Sequence, residues 1–220
     1  MIGTETRRRR PAAAQPTPPA ARPRTKPSDV RRRELLDAGE ALVLDRGIAG
    51  TSIDDVAAAA GVAKGTFYLY FASKEAMVEA LRARFSERFS GCIAKAQARV
   101  DPADWPGLID AWIEGGVHGY LGQVGLHDAL FHTPDFLPRW RQAAGHDGPV
   151  ADLAVLLRGG NAAGAWSVAD PETTGVLLFY AFHGGVDHAI AGGRTAEADA
   201  LIATLRAFVR RALGIERTGR

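Results

Sequence analysis

The chain has 220 residues and a mass of 23.4 kDa, which fits one large or two modest domains and a sizeable core. Hydrophobic residues make up 46% and charged residues 24%, which excludes a wholly disordered, collagen-like or membrane-embedded protein. Cys92 is the single cysteine, which excludes an internal disulfide and a thiolate zinc cluster and favours a reducing compartment.

The formal net charge of +2 is distributed unevenly along the chain. Residues 1–27 have a net charge of +6, whereas residues 28–75 and residues 76–220 each have a net charge of −2. The first segment is rich in proline and almost free of large apolar residues, so it cannot bury enough surface to offset its ordering entropy. We predict a disordered Arg/Pro-rich arm over residues 1–27, either a solvated extension without function or a phosphate-binding arm.

The remaining sequence predicts an all-α fold. No run of residues approaches the roughly 18 consecutive apolar residues of a transmembrane helix. Helical periodicity dominates and alternating strand patterns are absent. A first helix is expected to begin after Ser28, a plausible cap, and to run to about Arg46, because leucine and valine recur on one face.

A second, short helix is expected after Thr51 or Ser52, either of which can cap it, with an aspartate three positions further on. It ends at Gly61, where a turn can use a positive φ. A third helix follows almost at once, because Phe67 and Phe71 are four residues apart on one face, which we expect to pack in the core. Two short helices joined by about three residues form the helix-turn-helix pattern.

The opposite face of the third helix suits a surface that meets DNA. Gly65 lets the backbone approach a phosphate closely, and Leu69 has no polar atom, so its natural target is a thymine methyl. Thr66, Tyr68 and Tyr70 present hydroxyls for phosphate oxygens or base edges. Lys64 and Lys74 supply positive charges for phosphates. For Tyr68 and Tyr70, packing in the core is the alternative to DNA contact.

The stretch SIDDVAAAAGVAKGTFYLYFASK, residues 52–74, resembles the DNA-binding domain of the tetracycline-repressor (TetR) family of transcriptional regulators. This resemblance covers about residues 28–85. It implies a helix-turn-helix DNA-binding domain over 28–75, with its third helix in the major groove. It also implies a helical effector-binding and dimerisation domain over 76–220, about nine helices in all, and a homodimer on a palindromic operator. Carried over by position, and with Leu69 added from its face, the expected DNA contacts are Thr51, Ser52, Lys64, Gly65, Thr66, Tyr68, Leu69, Tyr70 and Lys74.

Two features depart from the family pattern: the net acidic charge of residues 28–75 and the long arm before them. Affinity for DNA comes largely from cations at phosphates, which this acidic segment has few of. Our hypothesis is that the arm supplies the missing phosphate or minor-groove contacts.

The middle of the chain is less regular in pattern. Glycines recur at every third position, at Gly116, Gly119, Gly122 and Gly125. They indicate either a closely packed neighbouring helix or a loosened segment, and they make a stiff, regular helix doubtful.

The two C-terminal helices are clearer. The first is capped by Asp170, with a proline at its first position, and runs to about Ile190. The second is capped by Thr195 and ends before Gly214. The first is apolar around most of its circumference, so we expect it to pack on its own domain and on a second subunit. A monomer whose core surrounds that helix is the alternative.

An effector pocket of aromatic residues with a few polar groups is expected in the C-terminal domain. Its candidate residues are Trp112, His118, Phe131, His132, Phe136, Trp140, Trp166 and His183. Each has plain core or surface placement as its alternative. The histidine spacings match no zinc signature, so we predict neither a metal site nor a cofactor.

Together these features predict a homodimeric, DNA-binding transcriptional regulator, a repressor that a small molecule releases, in the cytoplasm at the nucleoid. The alternative is a DNA-binding regulator without a small-molecule effector, controlled by a protein partner. No serine nucleophile elbow, phosphate loop or HExxH motif occurs, so we do not expect an enzyme.

Overall fold

The structure is a computed structural model that describes residues 27–131 and 148–215. Within these ranges it is all-α, as predicted, with nine α-helices and no strand. The helices are α1 (Ser28–Arg46), α2 (Ile53–Ala59), α3 (Lys64–Tyr68), α4 (Lys74–Gln97), α5 (Trp105–Leu121), α6 (Val124–Phe131), α7 (Pro149–Ala162), α8 (Pro171–Ala191) and α9 (Ala198–Ala212). Residues 1–26 of the predicted arm, and the pocket candidates His132, Phe136 and Trp140, lie outside the described residues.

Some predicted helix ends differ from the observed ones. Ser28 is the first residue of α1 rather than its cap, and Pro27 holds the cap position without a side-chain hydrogen bond. The predicted Thr195 cap is also wrong, because Thr195 begins a short 3-10 turn and Glu197 precedes α9. In contrast, Asp170 does cap α8, where its carboxylate accepts a hydrogen bond from the backbone N–H of Thr173.

The long helix α4 holds the first three helices to the rest of the molecule. Arg84 of α4 donates to the carboxylates of Asp37 and Glu40 and to the carbonyl of Leu36, all on α1. Arg82, two residues earlier, donates twice to the Leu130 carbonyl of α6, at 3.0 and 2.9 Å. One helix therefore carries arginine contacts to both α1 and α6.

Helix α5 is regular through Gly116 and Gly119 but ends at Leu121, so the four glycines do not share one regular helix, in line with the predicted doubt. A Cβ on Gly116 would approach the Phe182 ring at 3.1 Å, and one on Gly119 would lie 3.0 Å from the Cβ of Cys92. These two glycines therefore allow the close packing that was one of the two predicted alternatives. Gly122 ends the helix and Gly125 belongs to α6.

Buried side chains from α1 through α9 form one hydrophobic cluster that runs from Leu35 to Leu213. Among the described helices, none is long and apolar enough to cross a bilayer.

Candidate nucleic-acid interface

Helix α2 is fixed at its start by a capping box. The Ser52 hydroxyl oxygen accepts from the Asp55 backbone N–H at 3.1 Å, and Asp55 Oδ2 accepts from the Ser52 backbone N–H at 3.2 Å. The hydrogen bonds from Ser52 lower the pKa of the Asp55 carboxyl below its ordinary value. Gly47 and Gly61, at the end of α1 and in the turn after α2, take φ values of 72° and 66°. The turn at Gly61 sets the direction in which α3 leaves α2.

The inner side of α3 is anchored in the core. Phe67 is fully buried and Phe71 nearly so, and their ring centroids lie 5.5 Å apart. The Arg32 guanidinium lies 5.2 Å from the centroid of the Phe71 ring. The predicted core placement of both phenylalanines is therefore confirmed, although Phe71 lies three residues beyond the end of α3.

The side of α3 that faces solvent consists of Gly65, Thr66, Tyr68 and Leu69, which we call the outer face. Leu69 is 80% exposed and Tyr68 is 49% exposed. A Cβ on Gly65 would meet no atom within 4 Å, so the backbone there is open to an approaching surface. Thr66 is half-buried, as is Tyr70, which packs against the core beside this face.

The two predicted lysines differ in how they are held. Lys64 is exposed, and its Nζ lies 2.9 Å from Asp54 Oδ2, a contact that raises the pKa of the lysine. Lys74 is half-buried and donates to the carbonyls of Ile48 and Thr51 at 3.0 and 3.1 Å. Lys74 thus ties the loop before α2 to the start of α4, while Lys64 lies at the surface.

Thr51 and Ser52 also have different environments. The Thr51 side chain is buried and its hydroxyl donates to the Gly47 carbonyl at 2.9 Å, whereas Ser52 is exposed. Both residues line an open cleft at the start of α2, together with Lys64 and Lys74. The structure therefore brings four of the sequence-predicted residues around one cleft beside the outer face, and Asp54 contributes a negative charge to it.

The described candidates for an effector pocket do not all come together. His118 lies on the surface, and Trp166 donates from Nε1 to the Leu157 carbonyl at 2.9 Å and packs edge-on against Trp105. Trp112 is buried edge-on against Phe182, with ring centroids 5.2 Å apart, and its Nε1 has no hydrogen-bond partner among the described residues.

Phe131 and His183, in contrast, both contact His127, which is not among the predicted pocket residues. The Phe131 ring stacks on His127 at 5.0 Å between centroids, and His183 Nε2 lies 3.2 Å from His127 Nε2. Tyr120 and Asp187 complete this polar cluster. Sequence reasoning had no signal for Tyr120, whose partner Asp187 lies 67 residues away. In the described ranges, no three histidine, cysteine, aspartate or glutamate side chains are placed to hold a metal ion.

Comparison with known proteins agrees with this geometry. Residues 35–81 match the family model described as bacterial regulatory proteins, tetR family. The chain is 43% identical over 120 residues, 54% of each sequence, to the HTH-type transcriptional regulator EthR of Mycobacterium tuberculosis. From α1 to α4 the chain is therefore similar to regulators of the TetR family.

Other relatives extend the comparison. The HTH-type transcriptional repressor KstR2 of Rhodococcus jostii is 40% identical over 75 residues, 34% of this chain and 36% of that one. The chain thus spans about half or less of the length of these curated relatives. A TetR-like regulator from Rhodococcus sp. RHA1 superposes with a TM-score of 0.61 at 26% identity, over 87% of this chain and 100% of that one. A regulator from Syntrophomonas wolfei, at 17% identity, shows the same fold with a TM-score of 0.69, over 88% of this chain and 100% of that one.

The match to the TetR family model begins on α1 and ends on α4. It therefore contains the whole outer face and its cleft. The polar cluster around His127 lies beyond it.

Proposed function

We propose that this chain is a homodimeric repressor of the TetR family that binds a palindromic operator through the outer face of α3 and leaves it when a small molecule binds. Residues 28–75 would form its DNA-binding domain and residues 76–220 its effector and dimerisation domain. The observation that carries this proposal is Leu69, an aliphatic side chain 80% exposed beside a half-exposed tyrosine on a helix anchored from behind by Phe67. Operator binding would place the protein in the cytoplasm, at the nucleoid.

Each exposed residue has a distinct role in this proposal. Leu69 meets a thymine methyl, and the Tyr68 hydroxyl reaches a base edge or a phosphate. Ser52 and Lys64 bind phosphates beside the cleft. The exposed pair of Lys64 with Asp54 contributes little to stability, so exchanging Asp54 for a phosphate costs little.

The C-terminal helices support the homodimer. Leu177, 64% exposed, lies on one stripe of α8 with the exposed Tyr180 and with Gly184, where a Cβ would meet no atom within 4 Å. Phe208 on α9 is 46% exposed. Large apolar side chains on two neighbouring helices suit a self-complementary interface of the kind that cyclic dimers use.

Replacing Leu177 with glutamate should therefore dissociate the dimer. A carboxylate buried at the interface without a partner is expected to raise the dimer dissociation constant at least about 30-fold, near 2 kcal/mol. Sedimentation velocity over a concentration series measures this shift. The control is Leu44→Glu, which adds the same charge at a half-exposed leucine of α1 and should leave the dimer intact. An undisturbed L177E dimer would place the interface elsewhere.

Small-molecule control rests on the polar cluster among aromatic rings, the usual composition of a ligand site. The alternative, control by a protein partner, predicts no response to small molecules. A thermal-shift screen against a compound panel separates the two. A compound that raises the melting temperature and releases operator DNA supports an effector, whereas a panel without such a compound favours the protein partner.

The proposal as a whole is tested by selecting bound DNA from a random pool with the full chain. We expect a palindrome whose half-sites lie about one helical turn apart, since two-fold symmetry of the protein is mirrored in its operator. Enrichment of no sequence, or of a site without symmetry, would contradict the proposed mode of binding.

Gly65 allows a direct test of the approach to DNA. Gly65→Ala should leave stability unchanged or raise it slightly, because its Cβ enters open space and alanine favours helix. Operator affinity should fall at least about fivefold, near 1 kcal/mol, the scale of one lost contact. Thermal unfolding and fluorescence anisotropy with operator DNA measure the two effects, and equal operator affinity of the two proteins would remove Gly65 from the interface.

A further inference from the structure

Two histidines from different helices meet beneath the aromatic rings of the C-terminal half. His127 of α6 is only 4% exposed, and His183 of α8 is half-buried. Their Nε2 atoms lie 3.2 Å apart, a hydrogen-bond distance. The rings of Phe85 and Phe131 cover His127, and that of Phe179 covers His183. We call His127 and His183 the histidine pair.

The other nitrogen of each imidazole faces a carboxylate. His183 Nδ1 lies 3.1 Å from Asp187 Oδ2, and His127 Nδ1 lies 3.4 Å from Asp128 Oδ1. A carboxylate only accepts hydrogen bonds, so each Nδ1 must carry a hydrogen to make its contact. The tautomers assigned in this way leave the two Nε2 atoms pointing at each other.

These three contacts need three N–H hydrogens. Two neutral imidazoles supply only two, which would place two lone pairs against each other at 3.2 Å. Two imidazolium ions supply four, which would place two N–H groups against each other. A single added proton supplies the third hydrogen, and the histidine pair then carries one positive charge.

Tyr120 favours the same state. Its hydroxyl donates to Asp187 Oδ1 at 2.6 Å, so its lone pairs are left to accept. Its oxygen lies 2.9 Å from His127 Nδ1, 3.1 Å from His127 Nε2 and 3.4 Å from His183 Nε2, so it accepts from N–H groups of the histidine pair. Burial, followed by the hydrogen bond to Asp187, raises the pKa of Tyr120 far above its ordinary value, so the phenol keeps its proton.

We propose that His127 and His183 share one proton near neutral pH and that this proton clamps α6 to α8, making the C-terminal half of the molecule responsive to pH. Among the described residues, the titratable and charged groups that face the pair are Tyr120 of α5, Asp128 of α6 and Asp187 of α8. Arg82 of α4 lies beyond Phe131, 6.0 Å from the centroid of that ring.

Stability should then pass through a maximum. The shared proton is bound more tightly in the folded chain than in the unfolded one, so its stabilisation is lost as pH rises through the upper step. A second proton is bound less tightly in the folded chain, so stability is also lost as pH falls below the range of a free imidazole, about 6.5. The two steps belong to the pair rather than to either residue.

Helix α6 also reaches the first helix of the molecule. Gly125 of α6 lies beside Leu44 of α1, where a Cβ would be 3.6 Å from Leu44 Cδ2. A change in the α6–α8 contact therefore has a direct path to α1. The consequence for operator affinity rests on the proposed function, whereas the shared proton itself does not.

The test is a titration of the full chain between about pH 5 and about pH 9, with histidine ring signals followed by NMR. His118 and His188 are exposed and provide reference ring signals from imidazoles outside the pair. The histidine pair should titrate in two steps on either side of about pH 6.5, the ordinary value of a free imidazole, separated by at least about two pH units, or 100-fold in proton affinity. Signals are assigned with single His→Gln variants.

His183→Gln should leave His127 with a single step, and His188→Gln, on the same helix, should leave both steps unchanged. Asp187→Asn should lower the pH at which the shared proton is lost. It provides a second variant if H183Q fails to fold. Titration of His127 and His183 in one common step near about pH 6.5, the ordinary value of a free imidazole, would overturn the proposal. So would uptake of one Zn²⁺ per chain that H183Q abolishes, since a metal would then occupy the place of the proton. None of these measurements uses DNA, so a negative result would contradict the shared proton without bearing on the proposed function.

Discussion

Replacing Leu69 with glutamate should weaken operator binding at least tenfold, about 1.4 kcal/mol, and leave folding stability unchanged. The side chain is 80% exposed, so neither its removal nor a new charge there disturbs the core. At the DNA surface, however, the carboxylate loses the apolar contact and faces phosphates of like charge. Fluorescence anisotropy with selected operator DNA at one fixed salt concentration measures the affinity, and thermal unfolding measures the stability.

The matched control for this variant is Val155→Glu. Val155 is an aliphatic residue of α7 that is 58% exposed, and it is not on the outer face of α3. Both variants change the net charge equally, so a general electrostatic loss of affinity would appear in both. If L69E and V155E bind the operator equally well, Leu69 is not a contact and the outer face of α3 does not enter the groove.

The outer face could be predicted from sequence because it depends on local periodicity. Phe67 and Phe71 define the buried side of one short helix, and the exposure of Leu69 follows from its position on the other side. The environment of Lys74 could not be predicted in this way. Its partners, the carbonyls of Ile48 and Thr51, lie 26 and 23 residues earlier, so only the folded chain brings them to the ammonium group.

The same distinction separates the helices from the polar cluster. Helix α8 was recognisable from the Asp170 cap and the proline that follows it. The histidine pair joins residues 56 positions apart, and no local pattern indicates that their rings meet. Helix ends at Ser28 and Thr195 were predicted wrongly because a capping residue type is necessary for a side-chain cap but does not ensure one.

Gly115 is the position in α5 where we expect the largest loss of stability from a single methyl group. A Cβ there would lie 2.7 Å from the Cα of Ile93 and 2.8 Å from the carbonyl oxygen of Cys92, both backbone atoms of α4. A flexible side chain could move aside, but a helix backbone cannot without separating the two helices. Gly115→Ala should therefore lower the free energy of unfolding by about 1–3 kcal/mol, the cost of overpacking. Denaturant unfolding of the full chain measures it.

Gly91 provides the control within the partner helix. It lies in α4, and a Cβ there would meet no atom within 4 Å, so Gly91→Ala gains helix propensity without a clash. That variant should raise the free energy of unfolding by about 0.5–1 kcal/mol. Both substitutions make the same chemical change in a helix, so the difference between them isolates the α4–α5 approach. If G115A is as stable as G91A, the two helices do not pack at backbone distance, and the glycines of α5 have no steric role there.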